Sequence, residues 1–561
     1  MGNPPEPWRS RYAHPTSWEQ DFAPLSLPDM FAAAARDHHA APLTEFYGRR
    51  WSYAAAHAEA NRFAAGLQAW GLQPGDRVGL FLPNVPIYIP AYYGAMIAGA
   101  TVVNFSPLYT AAELEAQVTD SGSRLLVTVD LARLLPTALQ VLRESALEQL
   151  VVGRFAQMLP PLKRAAFRLF KHRELVAVPD QPDVTGWDSM LWPGPPRPVR
   201  VDPEQTVALL QYTGGTTGTP KGAMLTHQNL SANARQVAAI DPHRRERDVI
   251  LGALPLFHVF ANTCVLNRTV ADGGCIAMLP RFDVGQVLST IRRTRATSFP
   301  GVPTMFQALL DDPRLDGSDL SSLRMCISGG APLPAPVKER FEAMTGVRLV
   351  EGYGLTESAG VVSANPFEGA GRAGTIGHPV PGTRVMLLDK DDAARPAPAG
   401  EPGELAVCGP QVMRGYWNHP EAAASAFATM PDGQQWLRTG DIAVIEEDGY
   451  VRIVDRSKDM IAVGGFKVFP SEVEAVLVQH PAIKEALVIG MPDTYKGEVP
   501  RAFVTLQHSS EAHATELREW LNDRVGKHER VDAVVIRQSM PKTMIGKLDR
   551  KSLRQEALDA L

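Results

Sequence analysis

Cysteine is scarce in this sequence: the four that occur, Cys264, Cys275, Cys326 and Cys408, lie far apart and form no CxxC pair. This spacing argues against a disulfide framework and a thiol-based zinc or redox motif, and it is typical of reduced thiols in a cytoplasmic protein. A large excess of one charge sign is also missing, since the net charge is −5 over 561 residues. A nucleic-acid partner is therefore not expected, because such proteins carry a strongly basic face.

Long hydrophobic runs are nearly absent as well. The N-terminus, MGNPPEPWRSRY, has no apolar signal region. One stretch imitates a membrane span, Ile87–Phe105, but prolines crowd its start. A helix from about Pro86 to Gly99 would be roughly 20 Å long, which is short of the ~30 Å hydrocarbon core. We therefore expect a buried helix that leads into a strand at Thr101–Asn104, in a cytoplasmic protein.

The pattern of short apolar runs alternating with helical segments predicts a layered α/β fold with parallel strands. Trp51-Ser52-Tyr53 is expected to begin a helix that ends near Gly71. A helix is also expected at Ala111–Ser121 and a strand at Met325–Ser328. From about 374 to 454 many short strands with Gly and Pro turns predict a small β subdomain, followed by a charged break. We predict an N-terminal α/β domain over 1–454, a hinge at 455–459 and a small mobile α+β C-terminal domain over 460–561.

A glycine- and threonine-rich stretch, Tyr212–Gly222, reads YTGGTTGTPKG after an apolar strand end. It lacks the Gly-Lys-Ser/Thr ending that opens a helix in a Walker A loop. Its glycines allow close backbone approach, its threonine hydroxyls can donate to phosphate oxygens, and its lysine adds a cation. We predict that this stretch grips the phosphates of ATP through Thr213, Gly214, Gly215, Thr216, Thr217, Gly218 and Lys221.

A second signature, Glu351–Ser358, reads EGYGLTES. Tyr353 stands between two glycines, so its ring can stack on adenine with little crowding. Thr356 can donate to an α-phosphate, and Glu357 can hold Mg²⁺, which prefers oxygen ligands. A third signature is Thr439-Gly440-Asp441, where Asp441 can accept hydrogen bonds from two ribose hydroxyls. Arg456 offers a fork of donors to ribose or phosphate.

These signatures, with the loop Pro541–Lys547 and the PLFH segment at 255–258, resemble the adenylate-forming enzymes: acyl-CoA synthetases, peptide-synthetase adenylation domains and beetle luciferases. The segments 253–258, 300–304, 407–417 and 453–469 are most similar to bacterial long-chain fatty acyl-CoA synthetases. The resemblance implies Lys547, Thr356, Glu357 and His258 as catalytic residues, the last lining the carboxylate pocket. It further implies ATP contacts at Gly330 and Ala331, CoA contacts at Gly464, Gly465 and Lys467, and a hinge at Asp455 and Lys458.

The reaction that the resemblance implies is ATP-dependent ligation of a long-chain fatty acid to CoA through acyl-AMP, with Mg²⁺ as cofactor. Three alternatives stay open. The first is a medium-chain or aromatic acid, and the second is an acyl-AMP ligase that feeds a carrier protein. The third is a nucleotide-binding protein without chemistry, which Lys547, Glu357 and Asp441 together argue against. Some long-chain relatives carry a gating tryptophan four residues after the pocket histidine, and here that position is Asn262.

One segment, 155–173, is not explained by this chemistry. It interleaves Leu162, Phe167, Leu169 and Phe170 with Lys163, Arg164, Arg168, Lys171 and Arg173. The pattern is typical of a solvated surface helix or of an interfacial helix on anionic lipid at the inner face of the cell membrane. Pro160-Pro161 limits its length. The oligomeric state, including a homodimer, is left open.

Overall fold

The computed structural model describes residues 6–213, 220–244, 246–369, 371–389, 392–398, 400–456, 458–463, 466–507, 510–543 and 546–560, with the backbone alone at 466–467. Of the predicted contacts, Gly214 to Gly218, Gly464 and Gly465 lie outside the described residues. The predicted α/β class is confirmed, since four sheets are layered with helices. No described helix is long and apolar enough to cross a membrane.

The first large sheet has nine strands. Its six central strands are parallel and its two ends are antiparallel. In spatial order the strands are His378–Pro379, Ser363–Ala364, Leu349–Tyr353, Met325–Ser328, Ser298–Gly301, Val249–Gly252, Cys275–Met278, Pro42–Phe46 and Arg49–Ser52.

The second large sheet has eight strands, of which the last six in spatial order are parallel. Their order is Gly415–Tyr416, Lys221–Thr226, Val207–Thr213, Thr101–Asn104, Arg77–Leu80, Ser123–Val129, Gln149–Gly153 and Val184–Gly186. The first strand comes from the region predicted as a β subdomain, so part of that region completes this sheet.

Two smaller sheets follow along the chain. One, within the predicted β subdomain, contains Arg384–Leu388, Gly403–Cys408, Gln435–Ile445, Phe427–Thr429 and Val451–Arg456. The other contains Phe466–Val468, Ile461–Val463, Gly497–Leu506, Ile483–Asp493 and Val534–Ile536. Buried residues between Ile461 and Leu553 form two hydrophobic clusters of their own. The boundaries 1–454, 455–459 and 460–561 stay a prediction.

The α-helices lie around and between these sheets. They are Leu27–Asp37, Tyr53–Trp70, Tyr88–Ile97, Ala111–Ser121, Leu135–Glu144, Phe155–Met158, Pro161–Phe170, Trp187–Met190, His227–Ala239, Val259–Ala261, Arg268–Asp272, Val284–Thr294, Pro303–Leu310, Ala335–Thr345, Pro420–Ser425, Pro470–Leu477, Ala514–Asn522 and Arg550–Asp559. Short 3₁₀ turns occur at Pro7–Ser10, His172–Glu174, Pro313–Leu315 and Thr356–Ser358, and a π-helix at Asn262–Asn267.

The helix Tyr88–Ile97 is buried, as the sequence predicts. Its tyrosines keep their hydroxyls paired: Tyr88 donates to Asn104 Oδ1 at 2.7 Å and Tyr93 to Asn267 Oδ1 at 2.7 Å. A Cβ at Gly94 would stand 2.7 Å from the Ala60 carbonyl oxygen, so glycine lets the neighbouring helix approach closely. A tyrosine-rich helix can lie inside a protein core only when its hydroxyl groups have hydrogen-bond partners of this kind.

The prediction that Trp51 begins a helix is wrong. Trp51 and Ser52 end the strand Arg49–Ser52, and the helix runs from Tyr53 to Trp70 with the Ser52 side chain as its N-cap. The strand is half of a hairpin whose turn, Tyr47-Gly48, has positive φ at both residues. Such a turn matches the twist of paired strands, so the hairpin prevails over the helical spacing of the apolar residues.

Candidate active site

The predicted site residues meet where parallel strands of the nine-stranded sheet end. Met325–Ser328 and Leu349–Tyr353 are neighbours, and their carboxyl ends deliver Gly330 and the Tyr353–Glu357 signature to one edge. The strand Val249–Gly252 leads to His258 on the same side. Ligands of open α/β sheets bind at this edge, so the fold itself gathers these residues.

Lys547 reaches this edge from the C-terminal part of the chain. Gly330 has φ of +83°, and a Cβ there would stand 2.9 Å from Lys547 Cε. A Cβ at Gly546 would stand 2.9 Å from Thr304 Oγ1, so the loop that carries the lysine also lies against the start of the helix Pro303–Leu310. Burial lowers the pKa of Lys547 from 10.5 to about 8, with Arg456 lowering it further and Asp441 opposing. The lysine therefore remains mostly protonated at pH 7.

His258 is the second group at this point. Burial lowers the pKa of His258 to about 3, and the nearby Lys547 ammonium adds to the effect. The ring is held because its Nδ1 accepts from the Phe260 backbone N–H at 3.3 Å, capping the short helix Val259–Ala261. The imidazole is consequently neutral at physiological pH, with Nε2 left to donate a hydrogen bond to a ligand.

Asp441, Tyr353 and Arg456 form a hydrogen-bonded set around the buried Asp441 carboxylate. The Tyr353 hydroxyl donates to Asp441 Oδ2 at 2.5 Å, and Arg456 Nε lies 3.0 Å from Asp441 Oδ1. Asp441 and Arg456 face each other across two antiparallel strands, which fixes their pairing. Burial, together with the adjacent carboxylate, raises the pKa of Tyr353. The structure thus joins two residues of separate signatures with the arginine that the sequence analysis placed near ribose.

Glu357 has partners that the sequence analysis missed. The Tyr416 hydroxyl donates to Glu357 Oε1 at 2.7 Å, and Lys221 Nζ lies 5.7 Å from the centre of the Tyr416 ring. The Met413 backbone N–H also donates to the Glu357 carbonyl oxygen at 2.8 Å. Tyr416 belongs to the strand that joins the eight-stranded sheet, and only its place in the segment 407–417 could have signalled it.

A Mg²⁺ ion suits this single carboxylate. Within the described ranges no group of three or more His, Cys, Asp or Glu side chains is arranged to hold a metal. Mg²⁺ at nucleotide sites takes one or two carboxylates plus phosphate oxygens and water, so Glu357 alone meets its protein requirement. The hydrogen bond from Tyr416 leaves Glu357 with further lone pairs for such an ion.

The two ends of the predicted phosphate loop are described. Thr213 and Lys221 are paired across the strands Val207–Thr213 and Lys221–Thr226, and Thr213 Oγ1 donates to the Lys221 carbonyl oxygen at 3.4 Å. The Trp417 backbone N–H donates to the Gly222 carbonyl oxygen at 2.8 Å. Because Tyr416 precedes Trp417, this bond brings the Glu357 partner and the loop's end together.

Glycine at position 354 is required by close packing. A Cβ there would stand 2.0 Å from the Gly360 carbonyl oxygen, a distance that backbone atoms cannot accommodate. The loop after Tyr353 is therefore pressed against residues 359–361, which positions Thr356 and Glu357 in the turn Thr356–Ser358. The second glycine of the signature has a packing reason as well as the ligand-access reason inferred from the sequence.

Glu351 is a further buried group to which the sequence analysis gave no role. Its Oε1 accepts from the Leu333 backbone N–H at 3.1 Å, two residues beyond Ala331. Burial raises the pKa of Glu351 to about 8, so the carboxyl is mostly neutral at pH 7 and can donate a hydrogen bond. Glu351 lines a cavity of about 40 Å³ together with Leu333 and Val350.

A second cavity adjoins His258 and is apolar. Its volume is about 10 Å³, and Leu254, Pro255, Phe260 and Val302 contribute to its lining. That is room for no more than a water molecule, so an acyl chain requires neighbouring side chains to move. The Phe260 ring closes one side, since a Cβ at Gly329 would stand 3.0 Å from Phe260 Cζ.

Asn262, at the position of the gating tryptophan in some relatives, is not among the described residues that line this cavity. It is fully buried, and its Oδ1 accepts from the Tyr92 hydroxyl at 3.1 Å and from Asn267 Nδ2 at 2.8 Å. It starts the π-helix Asn262–Asn267, a feature often found near functional sites.

The predicted hinge and CoA residues are described only in part. Asp455 accepts from the backbone N–H groups of Arg456 and Ser471, at 2.7 and 2.8 Å. Lys458 is exposed, and partial desolvation together with the nearby Arg456 lowers its pKa. Lys467 is described by its backbone, which pairs with Ala462.

Comparisons with known proteins agree with this geometry. The family model described as AMP-binding enzyme matches residues 31–417, and the AMP-binding enzyme C-terminal domain model matches residues 472–547. The chain is 38% identical to the long-chain-fatty-acid–CoA ligase of Bacillus subtilis (strain 168), over 98% of each chain. It is also 36% identical to the feruloyl-CoA synthase of Amycolatopsis sp, over 91% of this chain and 94% of that protein.

Solved structures show the same fold. ATP-bound MatB from Rhodopseudomonas palustris has a TM-score of 0.81 at 29% identity, covering 96% of this chain and 100% of that one. The anthranilate CoA ligase AuaEII in complex with anthranoyl-AMP has a TM-score of 0.84 at 26% identity, covering 97% and 99%. The resemblance inferred from the motifs is confirmed, and the chain belongs to the AMP-binding enzyme family.

Proposed function

We propose that this chain ligates a long-chain fatty acid to coenzyme A, using ATP and passing through an acyl-AMP intermediate. The observation that carries the proposal is the position of Lys547, which lies against Gly330 and beside the neutral His258. Independent support comes from the sequence, since the chain is 38% identical to long-chain-fatty-acid–CoA ligases along 98% of its length.

In the first half-reaction a carboxylate oxygen of the fatty acid attacks the α-phosphorus of ATP. The bond to the bridging oxygen breaks, and pyrophosphate leaves. The Lys547 ammonium and the Thr356 hydroxyl donate to the negative charge at this centre, while Lys221 and the loop from Thr213 hold the leaving phosphates. Preorganised donors of this kind commonly contribute ~3–4 kcal/mol each to the barrier reduction. His258, being neutral, donates a hydrogen bond to the carboxylate without protonating it.

The nucleoside is held by the hydrogen-bonded set of Asp441, Tyr353 and Arg456. Asp441 accepts from the ribose hydroxyls and pairs with Arg456, while Tyr353, Gly330 and Ala331 enclose the adenine. The neutral carboxyl of Glu351 suits a ring nitrogen as a donor. Mg²⁺, when bound by Glu357, would neutralise charge on the ATP phosphates.

In the second half-reaction the CoA thiol loses its proton to water and its sulfur attacks the acyl carbonyl carbon. The bond from that carbon to the phosphate oxygen breaks, and AMP leaves with the electron pair. Gly464, Gly465 and Lys467 are the proposed path for pantetheine, because a side chain at the glycines would obstruct so narrow an approach. Asp455 and Lys458 are the proposed pivot on which the C-terminal domain exchanges Lys547 for this path. A bulky substitution at Gly465 should therefore let acyl-AMP accumulate.

The deciding experiment measures products across fatty acids of rising length, with and without CoA. AMP, pyrophosphate and long-chain acyl-CoA are expected, and ADP with phosphate would contradict the proposal. An aromatic acid is the second candidate substrate, favoured by the likeness to feruloyl-CoA synthase, so ferulate and benzoate belong in the panel. Transfer of the acyl group to a carrier protein, with no transfer to CoA, would instead indicate an acyl-AMP ligase.

We further propose that the enzyme works at the inner face of the cell membrane, where its acyl substrate is concentrated. The support is the segment 155–173, which carries five basic and no acidic side chains in a chain of net charge −5.

A further inference from the structure

The helix Pro161–Phe170 is unusual because it buries none of its residues. Leu162, Leu169 and Phe170 are 87%, 68% and 78% exposed. Nine large hydrophobic side chains are strongly exposed in the described part of the chain, and three of them are these. Surface hydrophobic residues scattered singly need no explanation, but three within nine residues of one helix do.

The exposed residues share one face of the helix. At about 100° per residue, Leu162, Ala166, Leu169 and Phe170 fall within one stripe. Phe167 lies about 110° round the helix from the centre of this stripe and contacts the protein. Its ring centre lies 5.2 Å from that of Phe155. The helix is therefore amphipathic, but its apolar stripe faces the solvent instead of the protein core.

The structure also limits the surface to part of the segment identified in the sequence. Phe155, Met158 and Leu159 are buried and anchor the segment, so the exposed part begins at Pro161. Two of the basic residues help to seat the helix: Lys163 Nζ donates to the Tyr47 carbonyl oxygen at 3.0 Å, and Arg164 donates to that of Gln157 at 2.9 Å.

The other basic residues lie outside the apolar stripe: at about 100° per residue, Arg168 is roughly 150° round the helix from the centre of the stripe. Arg168 and Arg173 are exposed, while Lys171 is paired with Glu174 at 3.0 Å. An exposed apolar stripe on a segment that carries five basic and no acidic side chains complements the acyl chains and anionic headgroups of a bilayer. A second copy of the chain is a poorer occupant, because a symmetric contact would bring the same cations against each other.

We propose that the stripe of Leu162, Leu169 and Phe170 inserts into the interface of an anionic bilayer, while the exposed Arg168 and Arg173 attract the segment to the anionic surface through their charge. The inference deepens the membrane location proposed above and does not depend on which acid the enzyme activates. Insertion of an already ordered helix requires no folding step, so binding should be rapid and reversible.

The test is co-sedimentation with vesicles of phosphatidylcholine alone and of phosphatidylcholine with phosphatidylglycerol. Wild type should bind the anionic vesicles more tightly, and higher salt should weaken that binding, since the Debye length falls from ~10 Å at about 0.1 M to ~3 Å at about 1 M. Leu162→Ser, Leu169→Ser and Phe170→Ser should each weaken binding at least about tenfold, because each removes a buried apolar side chain. Arg168→Glu with Arg173→Glu should weaken binding to anionic vesicles only.

Matched controls come from exposed apolar residues elsewhere. Leu108→Ser and Met344→Ser change side chains that are 64% and 43% exposed and should leave vesicle binding unchanged. Turnover of a water-soluble octanoate in the absence of vesicles should be the same for all variants, which shows that they are folded. In Phe170→Trp, brominated acyl chains should quench the new indole.

Three results would overturn the inference. One is a wild type that never sediments with anionic vesicles, and another is a loss of binding in the controls equal to that in the serine variants. The third is a concentration-dependent dimer, seen by light scattering, that Leu169→Ser abolishes; it would assign the stripe to a second copy. Failure of the ligase proposal would appear instead as absent acyl-CoA formation, whatever the vesicles show.

Discussion

Replacing Lys547 by alanine should separate the two half-reactions. In the structure the lysine lies over Gly330 and close to Arg456, Asp441 and His258, where an attacking carboxylate and the α-phosphate would meet. Loss of one charged donor at such a centre costs about a hundredfold or more in rate. Acyl-AMP formation should fall by at least that factor, whereas conversion of supplied acyl-AMP and CoA to thioester should persist.

The pKa of Lys547 gives this prediction a pH dependence. Burial lowers it to about 8, so about 90% of the free enzyme carries the ammonium at pH 7 and about 10% at pH 9. The value of kcat/KM for adenylation should therefore fall about tenfold per pH unit above pH 8, since that quantity reports the free enzyme. Lys547→Arg keeps the charge at all these pH values and should remove the alkaline limb. The assay is pyrophosphate release without CoA between pH 6 and 10.

Stability measurements distinguish loss of chemistry from loss of fold. The folded pKa of about 8 lies below the ordinary 10.5, so the buried ammonium costs roughly 3 kcal/mol at pH 7. Lys547→Ala should thus be no less stable than wild type. The wild type should gain stability relative to the variant as the pH rises from about 8 to about 10.5. If the variant impairs both half-reactions equally, the lysine is structural and the reasoning fails.

Three other substitutions test the rest of the site. Asp441→Ala should weaken ATP binding by about 2–4 kcal/mol in calorimetry, because ribose hydroxyls lose their acceptor and Arg456 its partner, and it should leave fatty-acid affinity unchanged. Tyr416→Phe should raise the Mg²⁺ concentration needed for half-maximal adenylation, since Glu357 loses an orienting donor; an unchanged Mg²⁺ titration would contradict this. Phe260→Ala should lower KM for long-chain acids more than for short ones, because its ring closes the cavity beside His258, and equal effects at all lengths would count against it.

Much of the fold followed from local signals in the sequence. The helix Ala111–Ser121 is observed with the predicted bounds because Thr110 and Glu113 form a capping box and Gly122 ends the helix with φ of +61°. The strands Thr101–Asn104 and Met325–Ser328 also lie where apolar runs predicted them. Placing signatures after such runs was enough to bring Gly330 and Tyr353 to one edge of a sheet.

Other features depend on contacts between distant residues. Residues before Leu27 gave little signal, yet Trp8 is fully buried, its backbone lies against Gly449, and Trp18 Nε1 donates to the Thr383 carbonyl oxygen at 2.9 Å. The Tyr416–Glu357 bond joins residues 59 positions apart. The sequence also could not show that the apolar stripe of Pro161–Phe170 faces the solvent. Residue spacing defines a stripe but does not show on which side of the helix the rest of the protein lies.

One contact that joins the C-terminal part of the chain to the large sheets is an ion pair of a kind that separates easily. Lys484 Nζ and Asp311 Oδ2 lie 2.7 Å apart, with about a third of each side chain exposed, and such ion pairs contribute ~1 kcal/mol or less. Lys547 itself is held at the site against the cost of its own burial. An enzyme that needs the lysine for one step and an open pantetheine path for the next benefits when the lysine is held at the site only weakly. ATP phosphates would stabilise the ammonium when bound, and their departure as pyrophosphate would remove that stabilisation, so the first half-reaction itself would favour release of the C-terminal domain for the second.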